Sequence, residues 1–178
     1  SRSGNLPIDR IARRVVGATP QPVSYSFLDR GSDERQYCAP GVDLPLVSLM
    51  RTRYGVYPEY HTSLDDLDHV VTPQGLEGGL SLVRQCISEL ETSTYYRTNG
   101  LGEPQLGKRG LYHTFHARTV ADEVLLRTHV LAYADGHHSL ADMAELFERE
   151  QQDLAIIIDE LIEHGLLDCS EVLEPGGP

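Results

Sequence analysis

Cysteine is scarce in this 178-residue sequence, and it also lacks long apolar runs. Its three cysteines, Cys38, Cys86 and Cys169, are far apart and form no Cys-x-x-Cys pair. This argues against a disulfide framework and favours a reducing compartment. No run approaches the roughly 20 apolar residues of a membrane span, and no signal-peptide pattern opens the chain. We therefore expect a cytoplasmic protein with no membrane partner.

The charge is distributed unevenly along the chain. Residues 1–118 contain 13 acidic and 13 basic side chains, whereas residues 119–178 contain 14 acidic and 2 basic ones, so the net charge of -12 arises in the last third. Such asymmetry is typical of two units with different surfaces. Because an acidic surface repels phosphate, we expect no nucleic-acid partner for the C-terminal unit.

Apolar patterns in the first part predict an α/β fold. Residues 6–17 repeat apolar side chains at helical spacing. Residues 23–28 alternate in part, as a strand does, and residues 44–50 (LPLVSLM) form the continuous apolar run of an interior strand. A long helix is predicted over 72–94, because this segment opens with threonine, a good N-cap, and then proline, which suits the first turn.

The second part shows the pattern of a small winged helix-turn-helix domain. Residues 120–133 form the first predicted helix and residues 151–164 the third. Between them, a DGHHS turn leads into a helix that starts at Ser139, with Asp142 completing a capping box. Gly165 then stops the third helix, and an apolar strand begins.

The segment between these two parts is rich in glycine and polar residues and has no clear periodicity. Residues 97–117 are therefore predicted to be a linker. The predicted domains are 1–96, the α/β part, and 118–178, the acidic winged helix-turn-helix.

Polar residues suited to chemistry are concentrated at the two ends of the predicted strand 44–50. Asp33 and Glu34 precede it in a Gly/Ser loop, and His61 follows it in a Tyr-His-Thr sequence. Open α/β sheets gather their binding sites at such strand ends. The functional site is therefore expected in residues 31–70.

The motifs of this segment, GSDERQYCAPGVDLPLVSLM and YPEYHTSLDD, resemble the C-terminal signature of the zinc aminopeptidase superfamily, which also contains the glutaminyl cyclases. In that superfamily an S-D-H-x-P-F loop precedes a G-[IV]-P strand, and a [YW]-H-T-x-x-D-[TD] loop supplies a metal-binding histidine. The chain is similar to a branch of bacterial aminopeptidase-like proteins that carry a C-terminal winged helix and a GEPQLGKRGLY-like segment, here residues 102–112. The resemblance implies the C-terminal part of an aminopeptidase-like α/β/α domain and a winged helix.

For individual residues, the resemblance implies zinc as the cofactor and His61 as a zinc ligand. It makes Asp33 and Glu34 the candidate catalytic residues: Asp33 as an acid near the substrate, Glu34 where many relatives have histidine. Asp65 and Asp66 match an acidic pair that is expected to stabilise the loop. The implied reaction is hydrolysis of a peptide or amide bond by a zinc-activated water. The superfamily's H-x-D and Glu-Glu elements are not found in this sequence, so we expect it to be part of a larger protein.

A second function stays open at this point. A non-catalytic adaptor would keep the fold and use its winged helix for protein–protein contacts. The predicted third helix contains Asp153, Asp159, Glu160 and Glu163 but no lysine or arginine. DNA-reading helices present basic side chains to phosphate, so a protein partner or self-association is expected instead.

The sequence leaves the role of two tyrosines undecided and predicts no site role for two histidine pairs. Tyr57 and Tyr60 either line a substrate pocket or pack the loop. The remaining histidine pairs, His113 with His116 and His137 with His138, are expected at the surface, in the linker and in the inter-helix turn.

Overall fold

The structure is a computed structural model that describes residues 1–111 and 118–170, with the backbone alone for residues 118–121. It divides into two compact units, Ser1–Glu91 and Thr92–Pro178. The chain combines helices with a small antiparallel sheet, so the predicted α/β class is confirmed. None of the described helices has both the length and the apolar character that crossing a membrane requires.

Three helices organise the first unit. Helix α1 is Pro7–Gly17, α2 is the single turn Glu34–Tyr37, and α3 is Pro73–Thr92. Thr72 Oγ1 accepts a hydrogen bond of 3.0 Å from the amide of Gly75, which satisfies a donor in the first turn of α3 as the threonine–proline pair predicts.

Helices α1 and α3 share a small apolar core. Arg14 on α1 donates a hydrogen bond of 2.7 Å through Nε to Glu89 on α3. The core consists of Ile11, Val15 and Cys86, with Leu49 and Leu82 packed against it.

Neither predicted strand of the first unit is present as a strand. Residues 23–26 are irregular and lead into a 3₁₀ turn at Phe27–Asp29, and residues 44–50 are irregular throughout. A strand needs a neighbouring strand to hydrogen-bond, and the described part of this chain gives 44–50 none. Its apolar character serves packing instead: Leu49 joins the core, and the buried Cys38 thiol lies 3.4 Å from the carbonyl oxygen of Leu44.

One face of α3 is apolar and exposed. Its residues recur at helical spacing, as the sequence predicts, but each is at least 40% exposed. This face, which we call the bare face of α3, consists of Leu76, Leu80, Val83, Ile87 and Leu90.

The second unit is the winged helix-turn-helix that the sequence predicts. Its three strands form an antiparallel sheet in the order β2-β1-β3, in which Tyr96 pairs with Cys169. The elements are β1 Tyr95–Thr98, α4 Arg118–Tyr133, β2 Asp135–Ser139, α5 Leu140–Phe147, α6 Gln151–Glu163 and β3 Leu167–Ser170.

Local signals for the second unit hold well, with one exception. Ser139 and Asp142 form a reciprocal capping box at the start of α5, with bonds of 3.0 and 3.2 Å, as predicted. Gly165 has a positive φ of 65° after α6, which suits a helix stop. The exception is 135–139, predicted to be a turn, which forms β2 because it pairs with β1, a partner far away in the sequence.

The segment predicted to be a linker, 97–117, is part of the second unit as far as it is described. Arg97 and Thr98 lie in β1. Leu106 and Leu111 are 4% and 2% exposed in the core of the winged helix, because a glycine-rich segment without periodicity can still place single leucines. His113 and His116 lie outside the described residues.

Candidate functional site

Glu34 lies at the start of α2 and is buried although it is acidic. Its Oε1 accepts hydrogen bonds from the amides of Gly31 (2.7 Å) and Ser32 (3.0 Å). The Tyr54 hydroxyl donates to the same oxygen at 3.2 Å, and the Ser48 hydroxyl donates to Oε2 at 3.3 Å. One carboxylate therefore joins three separate segments of the chain.

These contacts keep Glu34 ionised. Burial acts to raise the pKa of the carboxyl, but the amides of Ser32 and Gly31 and the Tyr54 hydroxyl outweigh it, and the pKa falls from 4.5 to about 2. Burial beside this carboxylate raises the pKa of Tyr54 in turn. A general acid or base works best with a pKa near the operating pH, so this environment suits an anchor better than a proton-transfer group.

Asp33 is placed differently from its neighbour. It is exposed, and its side chain makes no capping hydrogen bond at the start of α2. The carboxylate is therefore open to a ligand, unlike that of Glu34. The structure does not test the catalytic role of either residue, and both roles stay predictions.

His61 lies in an aromatic cluster. Its ring stacks on that of Tyr60, with centroids 4.0 Å apart and an interplanar angle of 17°. Tyr60 in turn contacts Tyr57 edge-on at 5.7 Å and Tyr54 at 6.2 Å. The fold thus brings His61 and Glu34 into one connected group through Tyr54 and Tyr60.

The backbone and ring of His61 are both unusual. Its φ is +61°, in the left-handed region that few residues other than glycine adopt. The residue is exposed, and its ring forms no hydrogen bond or ion pair with any residue that the structure describes. Both ring nitrogens are therefore available to a ligand.

The acidic residues that follow His61 stabilise their loop, as the sequence predicts. Asp65 accepts a hydrogen bond of 3.0 Å from the Tyr57 hydroxyl. Asp66 accepts from the amides of Asp68 and His69 and contacts Nδ1 of His69 at 2.8 Å. The bond from His69 is the main reason that the pKa of Asp66 is lowered.

A zinc ion needs more ligands than this site offers. Hydrolytic zinc is held by three protein ligands, yet within 1–111 and 122–170 no three His, Cys, Asp or Glu side chains lie close enough together to hold a metal. His61 can provide one ligand. The described residues therefore do not by themselves form the zinc site that the resemblance implies.

The winged helix presents an acidic surface. On α6, Asp159 and Glu163 are exposed. Ile156, nearer the start of this helix, is 70% exposed. Glu160, one turn after Ile156, is paired: Arg127, 6% exposed, donates to it through Nε at 2.8 Å.

The histidine pair of this unit is less exposed than the sequence predicts. His137 and His138 lie in β2 and are half-buried. His138 contacts Asp135 through Nδ1 at 3.0 Å and packs edge-on against Tyr133.

Sequence reasoning missed the four partners of Glu34: Gly31, Ser32, Ser48 and Tyr54. A Cβ at Gly31 would lie 2.6 Å from the ring of Tyr54, so glycine is required for this ring to approach. One signal was visible: tyrosines recur at every third position, 54, 57 and 60, directly before His61. The structure shows that this spacing builds the cluster, so Tyr57 and Tyr60 pack the loop and the ring of His61.

Comparisons with known proteins match both units. A family model described as a domain of unknown function, DUF4910, matches residues 1–93. A winged helix-turn-helix model matches residues 93–169, in agreement with the second unit of the structure.

Two relatives come from Clostridium acetobutylicum. One has a provisional name that describes polysaccharide biosynthesis and an aminopeptidase-like domain; it is 36% identical over 148 residues, which are 81% of this chain and 33% of the relative. The other is a crystal structure at 2.37 Å, provisionally called a peptidase, with 33% identity and a TM-score of 0.55 over 95% of this chain and 37% of its own.

The chain thus spans about one third of the length of each of these relatives. The match to the DUF4910 model includes all of the first unit. The second unit has the winged helix-turn-helix fold that the second family model describes. This chain belongs to the DUF4910 family, with a winged helix-turn-helix following the family domain.

Proposed function

We propose that this chain is part of an aminopeptidase-like zinc hydrolase that acts on peptide or other amide bonds. The observation that carries this proposal is the similarity, at 33–36% identity, to one relative named for an aminopeptidase-like domain and one called a peptidase. The chain spans about one third of each, so the activity belongs to a longer protein.

The bare face of α3 supports the view that the first unit is part of a larger domain. Five large apolar side chains at helical spacing are 40–59% exposed there. A contiguous apolar surface of this kind normally packs against another element. In the longer protein, we propose that further strands and helices of the catalytic domain cover it.

Within that domain, His61 supplies one zinc ligand, and residues outside this chain supply the others. The support is the exposed ring with both nitrogens available, held by stacking in a loop that resembles a metal-binding loop. Asp33, exposed in the acidic loop at the start of α2, is the residue of this chain that we propose to act near the substrate amine.

The test compares two histidines of the same loop in the protein expressed from its complete gene. His61→Asn removes the proposed ligand, and asparagine tolerates the positive φ of this position. His69→Asn is the matched control, since His69 is exposed and bound to Asp66. Zinc per protein, measured by mass spectrometry, and cleavage of aminoacyl-amide substrates are the two readouts.

We expect stoichiometric zinc and amide cleavage in the unaltered protein and in His69→Asn, and a loss of both in His61→Asn. Zinc that persists in His61→Asn would contradict the ligand role. A folded full-length protein that contains no zinc and cleaves no amide would instead favour the adaptor.

For the winged helix we propose protein contacts, either with a partner or by self-association. The acidic outer face of α6 with the exposed Ile156 supports this, because phosphate is repelled by such a surface. We expect no mobility shift of duplex DNA at low salt, and a salt-sensitive shift would contradict the proposal.

The three free cysteines are compatible with the cytoplasm, where we propose that the protein acts.

A further inference from the structure

The ring of His61 stacks on Tyr60, and the Tyr60 ring in turn contacts two further tyrosine rings. Tyr60 stacks on His61 at 4.0 Å, and Tyr57 and Tyr54 each contact Tyr60, at 5.7 and 6.2 Å. The two distances between tyrosine rings suit attractive aromatic pairs, and the His61 and Tyr60 rings are stacked more closely, at an interplanar angle of 17°. The orientation of the imidazole therefore depends on the position of the Tyr60 ring.

Each of the two outer tyrosines is tied to a carboxylate. The Tyr54 hydroxyl donates to Glu34 at 3.2 Å, and the Tyr57 hydroxyl donates to Asp65 at 3.0 Å. Tyr54 also lies against Gly31, where any side chain would collide with its ring. Each outer tyrosine is thus restrained by its hydroxyl bond and by its ring contact with Tyr60, and Tyr54 by Gly31 as well.

We propose that Glu34 and Asp65 are positioning residues for His61, acting through Tyr54 and Tyr57, which keep Tyr60 stacked on the imidazole. Neither carboxylate touches the imidazole in this arrangement. The importance of the ring for catalysis rests on the proposed function above, whereas the arrangement itself rests on the contacts just described.

Stacking takes the place of a contact that ligand histidines normally have. Such a histidine usually donates its second ring N–H to a carboxylate or carbonyl, which fixes the ring. The His61 ring forms no hydrogen bond with the described residues, and its backbone is in the left-handed region. The tyrosine stack is the contact in the structure that restrains this ring.

The state of Glu34 agrees with an anchoring role. Its carboxylate receives four donors: the amides of Gly31 and Ser32 and the Tyr54 hydroxyl at Oε1, and the Ser48 hydroxyl at Oε2. It stays ionised at neutral pH, so it remains an acceptor for Tyr54.

The experiment removes single hydroxyl groups from the full-length protein. Tyr54→Phe and Tyr57→Phe each delete one anchor bond and keep the ring, and the double variant deletes both. Tyr37→Phe is the matched control, because Tyr37 is 47% exposed and lies outside the cluster. The readout is the NMR signal of the His61 ring in protein with ¹³C-labelled histidine, assigned by its loss in His61→Asn.

A ring stacked on Tyr60 gives a signal shifted upfield by the ring current. We expect this shift to shrink in each single variant and to be largely lost in the double variant, while Tyr37→Phe leaves it unchanged. An unchanged His61 signal in a folded double variant would overturn the proposal. If Tyr54→Phe fails to fold, Asp65→Asn tests the second anchor alone, with the same expected loss and the same overturning result.

This readout is independent of zinc and of hydrolysis. An unshifted His61 signal in the unaltered protein overturns the positioning role even if zinc is bound. A shift that the tyrosine variants abolish supports the positioning role even if the protein contains no zinc, in which case the proposed function fails alone.

Discussion

The Tyr54 hydroxyl donates a hydrogen bond of 3.2 Å to Oε1 of Glu34, 20 residues earlier in the chain. This bond joins the acidic loop at the start of α2 to the loop that carries His61. Because the apolar core of the first unit is small, we expect this bond to stabilise the fold as well as to position residues of the candidate site.

Replacing Glu34 with glutamine should destabilise the first unit. The amide keeps the shape but loses the charge, and its NH₂ group either faces the amide donors of Gly31 and Ser32 or requires the Ser48 hydroxyl to turn and accept. A buried donor left unsatisfied costs about 1–3 kcal/mol, and we expect a loss of that order in thermal or urea unfolding. Asp33→Asn is the control, since exposed Asp33 should change stability by less than about 0.5 kcal/mol. Equal losses in both variants would contradict the anchor.

Acid should weaken the first unit through the same carboxylate. Its pKa is about 2 in the folded chain against an ordinary 4.5, so its stabilising effect is complete above pH 4.5 and is lost as the pH falls towards 2. Urea unfolding at neutral pH and near pH 3 measures this, and the decline should be shallower in Glu34→Gln. Parallel pH profiles for the two proteins would argue against a depressed pKa.

A methyl group at position 31 should displace the ring of Tyr54. The added carbon would lie 2.6 Å from Cε2 of that ring, and overpacking of this kind costs about 1–3 kcal/mol. Gly31→Ala should therefore lower the unfolding temperature and change the near-UV circular dichroism of the tyrosines. Gly79→Ala is the opposite case: nothing lies within 4 Å in α3, and alanine should stabilise the helix by about 0.5–1 kcal/mol.

In the winged helix, removing Glu160 as an ion-pair partner should matter more than removing Glu123. Arg127 is 6% exposed and donates to Glu160 at 2.8 Å, whereas Glu123 is 3.7 Å away and 58% exposed. Glu160→Gln should cost about 1–3 kcal/mol because it leaves a buried cation poorly compensated. Glu123→Gln should cost less than about 1 kcal/mol. The reverse order in chemical unfolding would show that the buried pair contributes little.

Signals that depend on neighbouring residues could be predicted from the sequence. Thr72 and Ser139 cap their helices as expected, because an N-cap acts within three residues. The helices of the winged domain follow from apolar spacing in the same way. The acidic pair after His61 also stabilises its loop through bonds of short range.

Features that depend on distant partners could not be predicted. The segment 44–50 has the composition of a strand, but the described chain offers it no strand to pair with. Conversely, 135–139 has the composition of a turn and becomes β2 because β1 lies beside it. Glu34 is similar: its bonds to the amides of Gly31 and Ser32 are local, but its other partners, Tyr54 and Ser48, are 20 and 14 residues away, and no local pattern reveals them.

The left-handed backbone of His61 has a consequence for natural variation at this position. Alanine and especially valine or isoleucine would be strained there, whereas glycine, asparagine and aspartate tolerate such a φ. The backbone conformation at position 61 therefore restricts which residues can replace His61, whatever the chemistry of the site requires. In homologues that have lost the proposed zinc ligand, glycine, asparagine or aspartate is therefore expected at this position ahead of small aliphatic residues.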